Sequence, residues 1–561
     1  MRECPDFPKS YVVFTIIVLS LVQPCNSEAK TLPEKTGSQW YPYLEWNIEN
    51  LSFEGNPFDL DARVEFVHDD TGASVETPMF YEGGHSWGFR FTSTSTGQWS
   101  FRTLSNDKDL DGWTGTVAIR KNDNRRAHGF IKAIGNKWGW QGTDEAFIPQ
   151  YVMGKDINVF YDFHKQRVDE TAIGREITEF IDEHGFTGFH LQVRGRWFDL
   201  NGDCHGKTIP DMRTYEVLET IIRMVHARGG SCHLWMWGKD TGRGSDGPRA
   251  ILDAPMNTVD RRNLRYIAAR LGPLPGWSMG YGYDTENLWA SPDELDAWKS
   301  YLETHFGWDH FIGARVGFDE KGTYGRYGKN IPKPQLNEKH NAPIGDQYTA
   351  WLGGDYIGYT SYRPLYDRYV EVIEHRPDRP SFDEDRFRIR DAAQWTHKDY
   401  DVELTRRGLW HSAMAGGIAN IWGHLLPDSD SGGSQPYDRG SVRIKHLIKT
   451  YATFFRDRRR FRSDFIRDNS LTDPRTGTTE TPESAAISAC LRNTARTHYT
   501  FYREDCSSIA MNLTRMQGSQ RAVAVDAKRS YTEIDLGVIA VSKHNWQAPY
   551  ESDWAIAVGD F

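Results

Sequence analysis

Two acidic clusters in the 561-residue sequence carry the residue types that hydrolysis of a glycosidic bond requires. Glu286 lies within Tyr281–Trp289, and Glu384 lies within Arg379–Arg386. In such a reaction one carboxyl group protonates the leaving oxygen, while the other attacks the anomeric carbon or activates water. We therefore take Glu286 and Glu384 as the candidate catalytic pair. The alternative is that both clusters are solvated loop acids, or ion-pair partners of nearby arginines.

A second group of side chains is suited to binding a sugar. Aromatic rings stack on the C–H faces of pyranoses, and guanidinium groups bind carboxylate or sulfate through two hydrogen bonds. The candidate substrate-binding residues are Arg194, Arg196, Trp197, Trp237, Lys239, Thr285, Tyr359, Tyr362, Arg363, Arg386, Trp422 and His424. Their arginines favour an anionic saccharide, uronic or sulfated, although pairing of these arginines with neighbouring acids explains them equally well. Trp235 and Trp237 share a predicted strand, and we expect only one of the two to face the ligand.

The elements that position these residues fit a (β/α)8 barrel over residues 125–463. Apolar, β-prone runs alternate there with amphipathic helical segments, and catalytic groups of this fold follow the strand ends. Glu286 then follows the fourth strand and Glu384 ends the seventh. The eight predicted strands are Phe147–Met153, Thr187–Arg194, Ser231–Trp237, Trp277–Tyr283, Phe311–Val316, Tyr356–Tyr362, Pro380–Glu384 and Gly417–Trp422. Predicted helices include Glu170–His184, Tyr215–Arg228, Arg261–Leu271, Pro292–Phe306, Pro364–His375 and Val402–Ala415.

Strand-rich segments flank the predicted barrel on both sides. Residues 30–124 contain runs such as Ala62–His68 and Trp87–Phe91, separated by turn residues, which predicts a β-sandwich with Trp87 and Trp99 in its core. Residues 464–561 contain short strand-like runs and predict a C-terminal β-domain.

The first 29 residues have the layout of a secretory signal peptide. Arg2 and Lys9 precede the apolar run Tyr11–Val22, and small residues follow around Cys25. We therefore expect a secreted or periplasmic protein, with an uncleaved membrane anchor as the alternative. In an oxidising compartment Cys490 and Cys506 could close one loop.

The net charge and the motifs of the sequence argue against several kinds of partner and cofactor. The net charge of −10 argues against nucleic acid or an anionic membrane as the main partner. The candidate sugar-binding residues favour a carbohydrate partner instead. The first predicted strand lacks the His-x-His pair of metal-dependent barrel hydrolases, so we expect no metal. We interpret Gly238–Gly247 as a polar glycine-rich loop and not as a phosphate loop, so we expect no organic cofactor.

Short motifs of the sequence resemble known protein families and extend these expectations. The segments Tyr81–Phe91 and Gly97–Arg102 resemble a small N-terminal β-sandwich of unknown function that precedes the barrels of secreted carbohydrate-active enzymes. With the acidic clusters, the chain resembles the clan A retaining glycoside hydrolases, in particular the apiosidase-like subgroup. The resemblance implies that Glu286 is the general acid/base and Glu384 the nucleophile.

One position departs from that family. It usually has Asn directly before the acid/base, to hold the sugar 2-hydroxyl, and here Thr285 takes that place. Asp284 is therefore the substitute candidate after the fourth strand, and Asp383 or Asp385 at the seventh.

The sequence thus predicts a secreted retaining glycoside hydrolase. The alternatives are a carbohydrate-binding protein on an inactive barrel, and an inverting hydrolase with its carboxyl groups ~6.5–9.5 Å apart instead of ~5–5.5 Å.

Overall fold

The computed structural model describes most of the chain after residue 29. The described residues are 30–124, 126, 128–143, 145–202, 207–237, 258–282, 292–313, 323–324, 331–332, 365–375, 377, 379–388, 402–423, 440–474 and 486–561. The predicted signal peptide, residues 1–29, lies outside them.

Residues 35–120 form two packed β-sheets. Their strands are β1 (Lys35–Ser38), β2 (Leu44–Glu49), β3 (Ala62–His68), β4 (Ser74–Pro78), β5 (Phe80–Gly83), β6 (Ser86–Phe91), β7 (Gly97–Ser105) and β8 (Thr114–Arg120). One sheet has the order β1-β8-β7-β3-β4 and the other β2-β6-β5. Buried and exposed residues alternate along β3, as expected for a strand with one face in a core. Trp87 and Trp99 are both buried in that core, which confirms their predicted role.

The next described part of the chain contains a curled parallel sheet and three short antiparallel sheets. The next strands are β9 (Ile131–Ile134), β10 (Lys137–Trp140), β11 (Ala146–Phe147), β12 (Gln150–Met153), β13 (Tyr161–Asp162), β14 (Arg167–Val168), β15 (Gly188–Gln192), β16 (Cys232–Trp237), β17 (Trp277–Gly282), β18 (Phe311–Gly313), β19 (Thr323–Tyr324), β20 (Ile331–Pro332), β21 (Phe382–Arg388) and β22 (Ala419–Gly423). In the described residues the parallel sheet has the order β18-β17-β16-β15-β12-β22-β21.

Helices connect and cover these strands. They are α1 (Glu170–Glu176), α2 (Met212–His226), α3 (Thr258–Leu271), α4 (Pro292–Phe306), α5 (Leu365–His375), α6 (Val402–Ala415) and α7 (Gly440–Ala452). Two π-helical segments, Ile177–His184 and Thr453–Asp457, extend α1 and α7. Helix α2 begins where the Asp211 carboxylate accepts a hydrogen bond from the Arg213 amide, which satisfies one of the amides left unpaired at a helix start.

Ring contacts show how strongly the parallel sheet curls. His233 lies on β16 and Phe382 on β21, with β15, β12 and β22 between them in the sheet, yet their ring centroids are 4.7 Å apart. On the opposite, convex face, Trp298 of α4 donates to the Met236 sulfur and Tyr369 of α5 donates to the Asn420 side chain. The concave face therefore encloses its own core, and the helices cover the outside.

This architecture confirms a mixed α/β protein with several β-sheets and a parallel sheet curled into a half-barrel. The seven described parallel strands overlap seven of the eight predicted strands. The predicted sixth strand, Tyr356–Tyr362, lies outside the described residues.

The C-terminal region forms one antiparallel sheet. Its strands are β23 (Phe465–Arg467), β24 (Ser488–Asn493), β25 (Tyr499–Asn512), β26 (Gln520–Asp526), β27 (Glu533–Ile539) and β28 (Lys543–Val558), in the order β23-β24-β25-β28-β26-β27. Cys490 and Cys506 are free thiols in this sheet. Cys490 is opposite Phe501 of β25, and Cys506 lies five residues further along that strand, past a bulge after Arg503. This separation corresponds to about four residue steps, or about 13 Å at ~3.3 Å per residue. A disulfide requires Cα atoms within ~7 Å, so the suggested loop closure was wrong.

Buried ion pairs attach both flanking sheets to the helices. Arg90 of β6 contacts Glu219 of α2 at 2.8 Å, and Arg270 of α3 contacts the same carboxylate at 2.6 Å. On the other side, Arg406 of α6 pairs with the fully buried Asp553 of β28. None of the helices in the described segments combines the length and the apolar composition that crossing a membrane requires.

Candidate functional site

The carboxyl-terminal edge of the curled sheet gathers aromatic and polar side chains on its concave face. Gln192, at the end of β15, pairs in register with Trp235 of β16, and Trp235 pairs with Gly280 of β17. The rings of Trp235 and His190 are 4.2 Å apart, nearly perpendicular to each other. Since parallel strands share one carboxyl-terminal edge, these residues form the concave floor at which a ligand would arrive.

Trp235 and Trp237 lie on the same face of β16, so the expectation that only one of them faces the interior was wrong. Side chains two residues apart on a strand point to the same side. Each indole is opposite a glycine of β17, Trp235 facing Gly280 and Trp237 facing Gly282. The glycines have no side chain, which leaves room for two large rings in adjacent layers.

The indole N–H of Trp237 is a buried donor at the carboxyl-terminal end of β16. Trp237 has no exposed surface, and its Nε1 has no hydrogen-bond acceptor among the residues that the structure describes. A buried N–H without an acceptor is costly, by about 1–3 kcal/mol. Such a donor at the strand edge is therefore suited to donate a hydrogen bond to a hydroxyl or carboxylate oxygen of a ligand.

Arg194 begins a tight turn directly after β15. Its φ is +57°, a left-handed conformation that is uncommon for a residue other than glycine, asparagine or aspartate. Its guanidinium donates a hydrogen bond to the Gln192 side-chain oxygen. Gln192 was not among the predicted site residues, although its position two residues after His190 places it on the same strand face.

Arg196 and Trp197 of the same turn have partners within the protein. Arg196 donates to the Leu200 carbonyl at 2.6 Å and to the Asp156 carboxylate at 3.1 Å. Trp197 has no exposed surface and donates to the Met236 carbonyl at 2.9 Å. This position corrects the prediction for Trp197, because its ring is enclosed and its N–H is already used within the protein, which leaves neither for a substrate.

Trp422 also requires a correction. It lies two residues after Asn420 on β22, on the face that contacts the helices, and it is almost fully buried. Its indole N–H donates to the Gln150 side chain at 2.7 Å, and Gln150 in turn contacts Ser412 of α6. Trp422 therefore packs between the sheet and its helices, away from the concave face.

A β-bulge interrupts β21 at the predicted nucleophile. Asp383 pairs with Asn420 of β22, but the next pair joins Arg386 to Ile421. Glu384 and Asp385 are thus two extra residues without partners on β22. Bulges are frequent next to active sites, where they redirect the strand and change which way its residues point. Arg386, a predicted binding residue, shares its register position with Ile421.

Several predicted site residues lie outside the described residues. They are Glu286, Lys239, Thr285, Tyr359, Tyr362, Arg363 and His424.

A cluster of carboxylates elsewhere in the molecule has the spacing of a metal site. Oxygen atoms of Glu403, Asp505 and Asp553 lie within 4.8 Å of one another. The Lys528 ammonium lies 3.2, 3.2 and 3.3 Å from these three carboxylates, respectively. This ammonium already supplies the cation, so the cluster joins α6 to the C-terminal sheet as an ion-pair network.

Comparisons with known proteins support the fold. Residues 38–106 match a family described as a domain of unknown function (DUF5060), within the N-terminal sandwich. No curated protein matches the sequence. A solved structure described as a candidate glycoside hydrolase from Bacteroides vulgatus ATCC 8482 is 12% identical, with a TM-score of 0.64, over 94% of this chain and 100% of the other.

A second solved structure is similar over a shorter part of the chain. This glycoside hydrolase of family 5, from the same strain, is 13% identical with a TM-score of 0.50, over 78% of this chain and 94% of its own. At these identities the similarity shows a shared fold, so the curled parallel sheet and its flanking sheets have the architecture of structures described as glycoside hydrolases.

Proposed function

We propose that the protein is a secreted glycoside hydrolase that cleaves a polysaccharide or oligosaccharide by a retaining, double-displacement mechanism. The observation that carries the proposal is the bulge at Glu384, which lies on the same curled sheet whose carboxyl-terminal edge presents Trp237 and Arg194. The fold similarity to two structures described as glycoside hydrolases supports the same chemistry.

In the proposed barrel, a sixth strand within residues 356–362 closes the sheet into a (β/α)8 structure. The edge strands β18 and β21 are the predicted fifth and seventh strands, so one strand between them completes the circle. Residues from the loops after the strands then surround one cleft, with Glu286 contributed by the loop after β17.

The proposed reaction has two steps. The Glu384 carboxylate attacks the anomeric carbon while Glu286 donates its proton to the leaving oxygen, so that the glycosidic bond breaks and a glycosyl ester forms. Glu286, now a carboxylate, then takes a proton from water, and this water displaces Glu384 and restores both groups. The mechanism uses no metal or organic cofactor.

Side chains at the sheet edge would bind the substrate. Trp237 would donate its buried N–H to a sugar oxygen, and this bond would remove the cost of leaving the N–H unpaired. Arg194, supported by Gln192, would bind a carboxylate or sulfate of an anionic sugar. Lys239, Thr285, Tyr359, Tyr362, Arg363, Arg386 and His424 remain proposed contacts of the same cleft.

The test is a screen for hydrolysis followed by matched variants. Wild-type protein is incubated with neutral, uronic and sulfated oligosaccharides, and new reducing ends are measured. We expect Glu384→Gln and Glu286→Gln to lower the rate at least a hundredfold on any substrate that is cleaved. Glu303→Gln, which removes an exposed carboxylate of α4 paired with Lys299, is the control and should leave the rate unchanged.

Two outcomes contradict the proposal. If both variants keep full activity, this carboxylate pair is not the catalytic one, and Asp284, Asp383 and Asp385 become the residues to replace. If the wild-type protein binds saccharides, keeps that affinity as Glu384→Gln and releases no reducing ends, the protein is a binding protein on an inactive barrel.

A further inference from the structure

A large cleft lies at the opposite, amino-terminal end of the curled sheet. Its volume is about 950 Å³, at the upper end of the range of small-molecule sites. Its floor includes Gln150, the first residue of β12, Thr187 before β15, and Gly230 before β16. The π-helical segments after α1 and α7 form its walls. The cleft is therefore separated from the proposed catalytic edge by the length of the strands.

Cationic side chains dominate this cleft although the protein as a whole is acidic. Among the described residues, six cationic side chains line it: Arg126, Arg228, Lys449, Arg456, Arg459 and Arg462. The described lining contains half as many acidic side chains, namely Glu145, Asp182 and Asp457. The net charge of the chain is −10, so the local excess of positive charge in this cleft is opposite in sign to the net charge of the protein. Concave surfaces of one sign concentrate oppositely charged ligands.

Each acid of the cleft already has an arginine. Arg228 pairs with Asp182. Arg459 pairs with Glu145 at 3.0 Å, and Arg456 with Asp457 at 2.8 Å.

The remaining three cations have no acidic partner among the described residues of the lining. Lys449 donates to the Asp182 carbonyl oxygen at 2.9 Å, and neither Lys449 nor Arg126 makes an ion pair within the part of the chain that the structure describes. Arg462 pairs with Asp464, which lies outside the lining. These three cations come from the segment before β9, from α7 and from the segment before β23, so they approach the cleft from separate directions.

An aromatic stack gives the cleft a rigid wall. The Trp140 ring lies between His128, at 5.1 Å between ring centroids, and Phe147, at 4.4 Å, with all three rings close to parallel. Such a stack holds its shape without a ligand, which limits the ordering cost of binding. Rigid aromatic walls beside several separated cations suit a ring-shaped ligand that carries more than one negative group.

We propose that this cleft is a second saccharide site, which binds an anionic oligosaccharide through its sulfate or carboxylate groups. The cations on separate walls match a ligand with several anionic groups better than a single small ion. The site acts by binding alone and requires neither Glu286 nor Glu384, so it stands or fails independently of the proposed hydrolysis.

The test measures affinity with three probes of equal length: a sulfated dextran oligosaccharide, an oligogalacturonate and neutral dextran. We expect the wild-type protein to bind at least one of the two anionic probes and not neutral dextran, and the comparison between the anionic probes distinguishes sulfate from carboxylate recognition. Affinity should fall as salt is raised, because mobile ions screen the interaction.

Matched variants locate the binding. Arg126→Gln/Lys449→Gln removes two cleft cations that form no ion pair within the described residues, and we expect affinity to drop at least tenfold. Arg515→Gln/Lys543→Gln removes two exposed cations of the C-terminal region, with the same change in net charge, and should alter affinity less than twofold. On the wild-type protein, the bound probe should slow amide exchange in residues 181–187 and 453–463.

The proposal is overturned by any of three results. These are absence of binding to both anionic probes at millimolar concentration, equal loss of affinity in the two double variants, or exchange protection confined to the carboxyl-terminal edge of the sheet.

Discussion

The indole N–H of Trp138 donates a hydrogen bond to the carbonyl oxygen of Ser381 at 2.9 Å. The same ring contacts Phe311 at 4.9 Å and Phe382 at 5.9 Å between ring centroids. Phe311 lies on β18 and Phe382 on β21, which are the two edge strands of the described parallel sheet. A residue of the β9–β10 hairpin thus joins both edges of the sheet at its amino-terminal end and holds the curl closed there.

Removal of this ring should destabilise the protein strongly. We expect Trp138→Ala to lower the free energy of unfolding by about 3–5 kcal/mol, the usual cost of a large cavity. Trp138→Phe retains most of the apolar contact and loses the hydrogen bond, so its cost should be smaller. Urea unfolding followed by circular dichroism measures both variants. Equal, small effects of the two would show that the ring does not hold the sheet.

The buried ion-pair network around Glu219 gives a second prediction. Burial raises the pKa of Glu219, but Arg270 and Arg90 outweigh this effect and hold the pKa below its usual value. Glu219→Gln leaves two buried guanidinium groups without their shared carboxylate, and we expect a loss of about 3–5 kcal/mol of unfolding free energy. The control is Glu76→Gln, which breaks an exposed pair with Arg63 and should cost less than about 1 kcal/mol. A similar cost for the two variants would contradict the assigned role of the network.

Patterns of hydrophobicity predicted the elements of this fold well, and residue type predicted individual contacts poorly. The strand at 231–237 was expected from its β-prone apolar run, and the helix at 215–228 because its apolar residues recur with a period of 3.6. Trp197 and Trp422 were expected to contact substrate because tryptophan is common in sugar clefts. Both indoles instead donate to groups within the protein.

Which way a tryptophan points depends on strand register and neighbouring layers, which are formed only in the folded chain. The cationic cleft could not be predicted for the same reason. Arg126, Arg228 and Arg459 are far apart in the sequence, and the fold brings them to one concavity.

Trp237 permits a test that separates a role in substrate binding from a role in packing. Trp237→Phe keeps an aromatic ring and removes the buried N–H. If this N–H binds substrate, kcat/KM should fall about two- to tenfold, the worth of one hydrogen bond, while the free energy of unfolding is nearly unchanged. Trp410→Phe is the control and should leave kcat/KM unchanged. Trp410 is equally buried, in α6, and its N–H also lacks an acceptor among the described residues. Unchanged kcat/KM in Trp237→Phe would exclude the proposed contact.

The ion-pair network around Lys528 predicts that the protein gains no stability from divalent cations at this cluster. The Lys528 ammonium lies within 3.3 Å of all three carboxylates, so calcium would have to displace it. The melting temperature of the wild-type protein should therefore stay within about 1 °C on addition of calcium or EDTA, since only ligands that bind the folded state shift it. Lys528→Ala removes the ammonium but leaves Arg406 and Arg407 paired with the same carboxylates, so its melting temperature should also not rise with calcium. A calcium-dependent rise in the wild-type protein would refute this interpretation of the cluster.

The buried His226 and the half-buried His310 predict how stability depends on pH. Burial lowers the pKa of His310 to about 4, with its Nε2 2.8 Å from the Gly272 carbonyl oxygen and its ring stacked 4.1 Å from Trp277. Burial likewise lowers the pKa of His226 to about 4. Because an unfolded histidine titrates near ~6.5, the unfolded chain binds more protons than the folded one between about pH 6.5 and 4. The contribution of the two histidines to the free energy of unfolding is therefore complete above pH 6.5. It is lost as the pH falls toward 4, by up to about 3 kcal/mol for each histidine.

Replacement of one histidine should remove its share of this loss. His310→Gln keeps a donor for the Gly272 carbonyl but does not titrate. Between pH 7 and 4.5 its unfolding free energy should therefore fall by about 2 kcal/mol less than that of the wild-type protein. The exposed His164→Gln is the control and should follow the wild-type curve. Urea unfolding at the two pH values decides the matter, because identical losses in all three proteins would mean that His310 does not resist protonation in the folded state.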